Sequence, residues 1–148
     1  MASVRSLHHD QVVAEYNRLF GGVGKPEVYL YGLHYLSGFL NEKPLVKLHD
    51  DLAGLGLGLG LGKGEGMSDT EDHVAYVFEV MRFLIAGDDV AVANLTHQMA
   101  FFSQHLQPWM PQMCQTLQAH PAAVFFARLA AFTVALMSVE TQGFDLVN

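Results

Sequence analysis

The stretch Val-Ala-Tyr-Val-Phe-Glu-Val-Met-Arg-Phe-Leu-Ile at residues 74–85 decides the fold class of this chain. Six of its apolar side chains follow one another at steps of 3, 1, 3, 3 and 1 residues, which places them on one face of an α-helix: Val74, Val77, Phe78, Met81, Leu84 and Ile85. Gly87 is a stop signal after it, and Glu71 and Asp72 are expected in the first turn, where the helix dipole favours anions. The candidate caps are Ser68, Asp69 and Thr70.

Helical spacing recurs on both sides of this segment. The apolar side chains between Val12 and Phe20 share one helical face, and Gly21-Gly22 ends that helix. Further helices are predicted from Pro44 to about Leu52, from Asp88 or Asp89 to about Leu106, after Pro111, and from Pro121 to about Glu140. Residues 28–40 fit either a helix or a strand. Because no segment alternates convincingly at period two, we predict an all-α fold: a single-domain helical bundle of about seven helices over residues 1–148.

Residues 54–66 carry glycine at every even position and form the low-complexity segment of the chain. So many glycines disfavour a helix, and we expect a mobile Gly/Leu loop. Neither phosphate-binding motif fits. A dinucleotide fingerprint needs a step of three between its last two glycines, and a P-loop needs glycine where Leu57 stands and Ser or Thr where Gly64 follows Lys63.

Composition and charge narrow the class of function. Hydrophobic residues make up 51% and charged residues 16% of the 148, which suits a globular protein. Residues 50–89 hold nine acidic and two basic side chains, a net −7 that equals the formal charge of the whole chain. Such a field disfavours nucleic acid as a partner. It is typical of a solvated face or of a docking surface for a basic peptide, and the sequence leaves both open.

The chain shows no clear cofactor, metal or membrane motif. The lone cysteine, Cys114, excludes an internal disulfide and is expected to be a buried thiol, and no His, Asp or Glu set has metal-ligand spacing. We therefore predict no metal and no cofactor. The most apolar stretch, residues 121–139, has Arg128 near its centre, so it is expected to be a core helix and not a membrane span. No secretory signal is recognisable, and we expect a cytoplasmic protein.

Two constellations could carry function. Asp72-His73 could be an acid–base pair, but adjacent residues on a helix point about 100° apart, so capping of the helix start is the simpler interpretation. The other runs from His105 through Leu106 to Trp109, with Met110 and Met113 after it. Trp and Met together suit an adaptable apolar groove, although ordinary core packing explains them as well.

An ordered set of motifs resembles the TorD/DmsD/NarJ family of redox-enzyme maturation chaperones. The set begins with Glu15-Tyr16-Asn17-Arg18-Leu19-Phe20, Tyr31-Gly32 and Asp72-His73, and continues with His105-Leu106-x-Pro108-Trp109 and Phe125-Phe126-x-x-Leu129-Ala130. The resemblance implies a cytoplasmic, all-helical, non-enzymatic protein. Its partner would be a molybdoenzyme catalytic subunit or its twin-arginine signal peptide, held until the cofactor is inserted and export can follow.

The resemblance also implies a binding region. Its residues would be Asp72 and His73, with Glu71 beside them and with Tyr31, Tyr35, Trp109, His105 and Leu106 as further peptide- or partner-binding residues. We expect Asp72, helped by Glu71 or Asp69, to pair with the arginine end of the signal. The apolar part would lie against the aromatic side chains.

The chain departs from the family pattern at Thr70, in its length and in the Gly/Leu repeat of residues 54–66. Thr70 stands where the family usually has proline, and the chain is shorter than most members. An uncovered face could therefore be covered by a partner or by a second copy, as in a homodimer. Two alternatives remain open: a helical interaction or dimerisation module without signal-peptide specificity, and a small helical enzyme that uses Asp72 and His73 as acid and base.

Overall fold

A computed structural model describes residues 8–37, 40–57 and 70–147 of the chain. Within these ranges the structure has seven α-helices, one π-helical segment and no strand, which confirms the all-α prediction and the number of helices. The helices are α1 His9–Phe20, α2 Gly32–Leu36, α3 Lys43–Gly54, α4 Val74–Ala86, α5 Leu95–Phe101, α6 Met110–Ala119 and α7 Phe125–Leu146, and the π segment, Phe102–Leu106, directly follows α5. The chain divides into two compact units, Tyr31–Trp109 and the residues on either side of it. A single domain stays a prediction.

The Tyr31–Trp109 unit contains α2 to α5 and the π segment. Helix α4 packs against α5 and the π segment, and α2 packs against α3. Burial of apolar side chains is the main force that holds such helices together. The buried apolar residues of this unit are Leu33, Leu48, Leu52, Leu57, Val77, Val80, Met81, Leu84, Phe101, Phe102, Leu106 and Trp109.

Helix α3 has a well-formed beginning and end. Pro44 lies in its first turn, as predicted, where its missing N–H has no helical partner to lose. Gly56 has a φ of +73° and donates to Ala53 O, and Leu57 N donates to Leu52 O at 2.8 Å. These two bonds form a Schellman motif. Gly54 is thus the last residue of α3 and not the first of a loop. The rest of the predicted Gly/Leu loop, residues 58–66, lies outside the described residues.

The starts of α4 and α5 differ from the sequence prediction. Helix α4 begins at Val74, and His73 is its N-cap, with Nδ1 accepting from Ala75 N at 3.1 Å. Glu71 and Asp72 therefore precede the helix and do not occupy its first turn. Helix α5 begins at Leu95, several residues after Asp88 and Asp89, because Asn94 caps it by accepting from His97 N at 3.0 Å.

The other unit contains α1, α6 and α7, and α7 packs against both α6 and α1. The Glu15 carboxylate of α1 accepts the N–H groups of Val124, Phe125 and Phe126 at 2.8–3.1 Å. This side chain caps the N-terminus of α7 from a distant point in the sequence. The last helix therefore begins at Phe125 and not at Pro121, and it continues past Glu140 to Leu146.

Two further sequence predictions are tested in the described ranges. Cys114 is buried, and burial raises the pKa of its thiol to about 11. None of the described helices is both long and apolar enough to cross a lipid bilayer.

Candidate functional site

Asp72 holds the start of helix α2. Its backbone oxygen accepts from Gly32 N at 3.1 Å, and its Oδ2 accepts from Leu33 N at 2.8 Å. The Thr70 hydroxyl donates to Oδ1. Asp72 is buried, so its carboxylate serves as a long-range cap on a helix whose own preceding residue, Tyr31, provides no side-chain cap.

Aromatic rings surround this cap. Tyr31 and His73 form an isolated antiparallel bridge, and their rings meet edge to face with centroids 5.0 Å apart. Tyr35 stacks on Trp109 at 6.0 Å and 13°. Tyr31, Tyr35 and His73 are half-buried, so part of each ring faces solvent.

Trp109 is almost completely buried, and the Tyr35 ring packs on it. Its Nε1 donates to His105 O at 2.6 Å. Gly32 lies against it so closely that an added Cβ would be 2.9 Å from the indole Cε2 and Nε1. The glycine is therefore required by the close approach of α2 to the indole.

Glu71 has one carboxylate oxygen with a partner and one without. Oε1 accepts a hydrogen bond from the half-exposed His49 at 2.6 Å, and this bond, together with the Glu71 charge, raises the pKa of His49. Oε2 is buried and has no hydrogen-bond partner among the residues that the structure describes. An ionised carboxylate oxygen in that position is costly unless a donor reaches it.

His105 forms a second buried polar contact, with Asp51. The π segment carries His105 and is closed by the Gln107 N to Phe102 O bond at 2.9 Å. The Nε2 atom of His105 lies 2.7 Å from Asp51 Oδ2, and Lys47 Nζ donates to both oxygens of the same carboxylate.

The pKa values of this contact follow from burial and hydrogen bonding. Burial lowers the pKa of His105 and outweighs the opposite effect of Asp51. Burial alone would raise the pKa of Asp51, but the hydrogen bonds from Lys47 and His105 together hold it below its ordinary value. At neutral pH both directions favour a neutral His105 ring that donates from Nε2 to an ionised Asp51.

The structure brings most of the predicted site residues together. Asp72, His105 and Trp109 line one small cavity of about 20 Å³ with Gly32 and Leu33. Tyr31 and His73 lie at one side of Asp72, through the bridge and the hydrogen bonds already described. Leu106 is buried as a core residue of the π segment.

Sequence reasoning missed three contributors, namely Lys47, His49 and Asp51. They lie on α3. The His49–Glu71 and Asp51–His105 contacts span 22 and 54 residues of sequence, and Lys47 binds Asp51 within the helix. No local motif signals such pairs. The only hint was that Asp51 lies in the acidic segment.

The arrangement places half-buried aromatic rings beside buried carboxylates, and its polar contacts give little support to acid–base chemistry. The Asp72 carboxylate is engaged by Leu33 and Thr70, and His73 Nδ1 accepts from Ala75. No cluster of three or more His, Cys, Asp or Glu side chains in the described ranges could hold a metal ion.

The described residues form an all-helical fold with a buried acidic and aromatic cluster. The family model described as the nitrate reductase delta subunit matches residues 2–115, more than three quarters of the chain. The chain belongs to this family, which is one of the redox-enzyme maturation chaperones, and the resemblance noted from the motifs is confirmed. Members of the family act in the maturation of molybdoenzymes and interact with their catalytic subunits. Comparison with curated proteins and with solved structures gave no match.

Proposed function

We propose that this chain binds the catalytic subunit of a molybdoenzyme through the N-terminal twin-arginine signal peptide of that subunit. It acts in the cytoplasm and holds the subunit until the molybdenum cofactor has been inserted and export can follow. The family supplies the client class, and the candidate site supplies the contacts for a peptide with a basic end and an apolar stretch.

The observation that carries the proposal is the buried Oε2 of Glu71, which has no hydrogen-bond partner within residues 8–37, 40–57 and 70–147. A guanidinium group has five N–H donors and is always charged, so it can satisfy a buried carboxylate oxygen better than water can. An arginine that takes the place of the His49 side chain would donate to Oε1 and, with the other arm of its guanidinium, to Oε2. The resulting charge-assisted hydrogen bond contributes about 1.5–3 kcal/mol.

The apolar stretch of the peptide would lie on the exposed edges of Tyr31, Tyr35 and His73. Asp72, the residue after Glu71, binds Leu33 N at the start of α2, and Tyr31 pairs with His73 through the bridge. These contacts hold the segment that carries the rings beside the residues that follow Glu71. Aromatic side chains are frequent in binding surfaces because a rigid ring offers a large contact area at little entropic cost.

The remaining predicted residues are buried and hold the aromatic rings of this surface in position. Asp72 positions α2, Trp109 supports Tyr35, and His105 accepts the indole N–H on its backbone oxygen. We therefore propose that Asp72 acts on the peptide through α2, and that Glu71 is the residue that meets arginine.

A binding titration tests the proposal. The probe is a synthetic fluorescent peptide with two consecutive arginines followed by an apolar stretch, compared with a scrambled peptide of the same composition. The wild-type chain should prefer the twin-arginine peptide. Glu71→Gln should lower the affinity for that peptide about tenfold or more, because it removes the charge of the side chain and keeps its shape. Tyr31→Ala should weaken it through lost apolar contact.

A matched control is Glu79→Gln, since Glu79 is an acid of α4 that accepts hydrogen bonds from Arg82 on the same helix. It should leave affinity unchanged. Equal affinity for the twin-arginine and scrambled peptides would overturn the signal-peptide reading. A preference that survives Glu71→Gln would remove Glu71 from the arginine contact.

A further inference from the structure

Helix α7 exposes a stripe of four large apolar side chains. Leu129, Phe132, Leu136 and Val139 are 45–65% exposed and follow one another at steps of 3, 4 and 3 residues. Steps of three and four keep side chains on one side of a helix. Single exposed apolar residues are ordinary on a protein surface, but a continuous stripe indicates an interaction surface.

The stripe is symmetric about the level of residue 134. Leu129 and Val139 lie five residues on either side of it, and Phe132 and Leu136 lie two residues on either side. When two identical helices pack antiparallel around a twofold axis, positions equally distant from the level of the axis face each other. Two copies of α7 would therefore bring Leu129 against Val139 and Phe132 against Leu136.

The charges beside the stripe follow the same symmetry. Arg128 and Glu140 lie six residues on either side of residue 134 and flank the stripe. Both are half-buried, and neither side chain forms a hydrogen bond or ion pair with another described residue. In an antiparallel pair each Arg128 would face Glu140 of the other copy, at both ends of the interface. Such surface pairs add little affinity, but they fix register and orientation.

Gly143 supplies an independent observation. It lies in α7, where glycine is less favourable than alanine, yet an added Cβ would meet nothing within 4 Å. The single copy therefore gives no steric reason for a glycine there. Gly143 and the half-buried Phe125 lie nine residues on either side of residue 134, so a second copy would place the Phe125 ring over Gly143.

We propose that α7 forms the interface of a symmetric antiparallel homodimer of this chain, with its twofold axis at the level of residue 134. The interface is one helix face per copy, which is at the small end of specific interfaces, so the dimer should dissociate on dilution. Its residues all lie beyond residue 115, outside the part matched by the family model. The inference does not depend on signal-peptide binding.

Sedimentation velocity of the full chain over a range from low micromolar to submillimolar concentration tests the dimer. The wild type should pass from monomer to dimer. Arg128→Glu or Glu140→Arg should each raise the dimer dissociation constant about tenfold or more, because like charges then meet at both ends. The double variant should restore the dimer. A mixture of the two single variants should form a heterodimer, in which every pair is again attractive.

Two further variants separate interface effects from effects on the fold. Asp145→Arg makes the same charge change as Glu140→Arg on the opposite face of α7 and should leave the dimer intact. Gly143→Ala should raise the thermal stability of the monomer and weaken the dimer. The proposal is overturned if the wild type stays monomeric at every concentration, or if the double variant fails to restore what the single variants lose. It is also overturned if substitution of Leu129, Phe132, Leu136 or Val139 reduces binding of a molybdoenzyme subunit while self-association of the chain is unchanged.

Discussion

The Oδ2 atom of Asp72 accepts the backbone N–H of Leu33 at 2.8 Å, across 39 residues of sequence. Through this bond Asp72, which precedes the α4 N-cap His73, caps α2. The capping and the proposed peptide surface therefore depend on the same side chain.

Asp72→Ala should lower the free energy of unfolding by about 1–3 kcal/mol, because it leaves the Leu33 N–H without its acceptor in a buried position. Urea denaturation followed by circular dichroism measures the change. Asp50→Ala is the control, since Asp50 is exposed and has no hydrogen-bonded side-chain partner among the described residues. It should change stability by less than about 0.5 kcal/mol. Equal effects of the two variants would contradict the capping role.

Gly32→Ala should destabilise the chain by about 1–3 kcal/mol and weaken the binding of a twin-arginine peptide, because the new methyl group would displace the Trp109 indole. Gly54→Ala provides the matched substitution. Gly54 is the last residue of α3, and an added Cβ there meets nothing within 4 Å. It should be neutral or stabilising by up to about 1 kcal/mol. Thermal melts of both variants test the prediction, and a stable, binding-competent Gly32→Ala protein would contradict it.

His105 should make the chain less stable as the pH falls. Burial lowers its pKa below the ordinary value of 6.5, so the unfolded chain takes up this proton first. Stability from this group is complete above pH 6.5 and declines from there toward the lower pKa of the folded state. His105→Gln, which keeps a donor for Asp51, should reduce that decline.

His49 should act in the opposite direction and provides the comparison. Its hydrogen bond with Glu71 raises its pKa, so its contribution is complete below pH 6.5 and is lost as the pH rises through the raised value. Urea midpoints measured from about pH 5 to about pH 8, the range in which histidine titrates, would separate His105→Gln from His49→Gln. Identical pH slopes for His105→Gln and His49→Gln would contradict both assignments.

Glu15→Ala should lower stability by about 1–2 kcal/mol, because three N–H groups at the start of α7 lose their acceptor. Glu15→Gln should lose less, since one amide oxygen can still accept. Chemical denaturation measures both changes. Asp10→Ala, an exposed acid at the first turn of the same helix α1, is the control and should have a smaller effect. A Glu15→Ala protein as stable as the wild type would contradict the cap.

Cys114 should resist alkylation in the folded chain, because only the thiolate reacts and burial raises its pKa to about 11. Mass spectrometry after iodoacetamide treatment at pH 8, about half a unit below an ordinary thiol pKa, should show an adduct only when urea is present. Ser103→Cys places a second thiol at an exposed position and should be modified at once. Rapid modification of Cys114 in the native chain would contradict the burial.

The bodies of the helices could be predicted from the sequence, whereas several of their ends could not. The apolar steps between Val74 and Ile85 gave α4 because helical periodicity is a local property. Its start was predicted too early because the carboxylate of Asp72 is used by Leu33, a long-range contact. The start of α7 was misplaced for the same reason, since Glu15 lies more than 100 residues away from the N–H groups that it caps.

The candidate site follows the same rule. Asp72, His73 and Tyr31 could be selected because a family motif marks them, and the structure places them together. The contacts of His49 with Glu71 and of Asp51 with His105 join residues that no spacing rule relates. Burial of Glu71 and Trp109 depends on the packing of α2 and α3, which periodicity does not give.

The cap between Glu15 and α7 also has a consequence for the order of events during synthesis. The Tyr31–Trp109 unit is continuous in sequence, so it can complete its fold on the ribosome as soon as those residues have emerged. Helix α1 is made first, but its carboxylate must wait until Phe126 has left the exit tunnel. The unit that begins the chain is therefore expected to be the last to close.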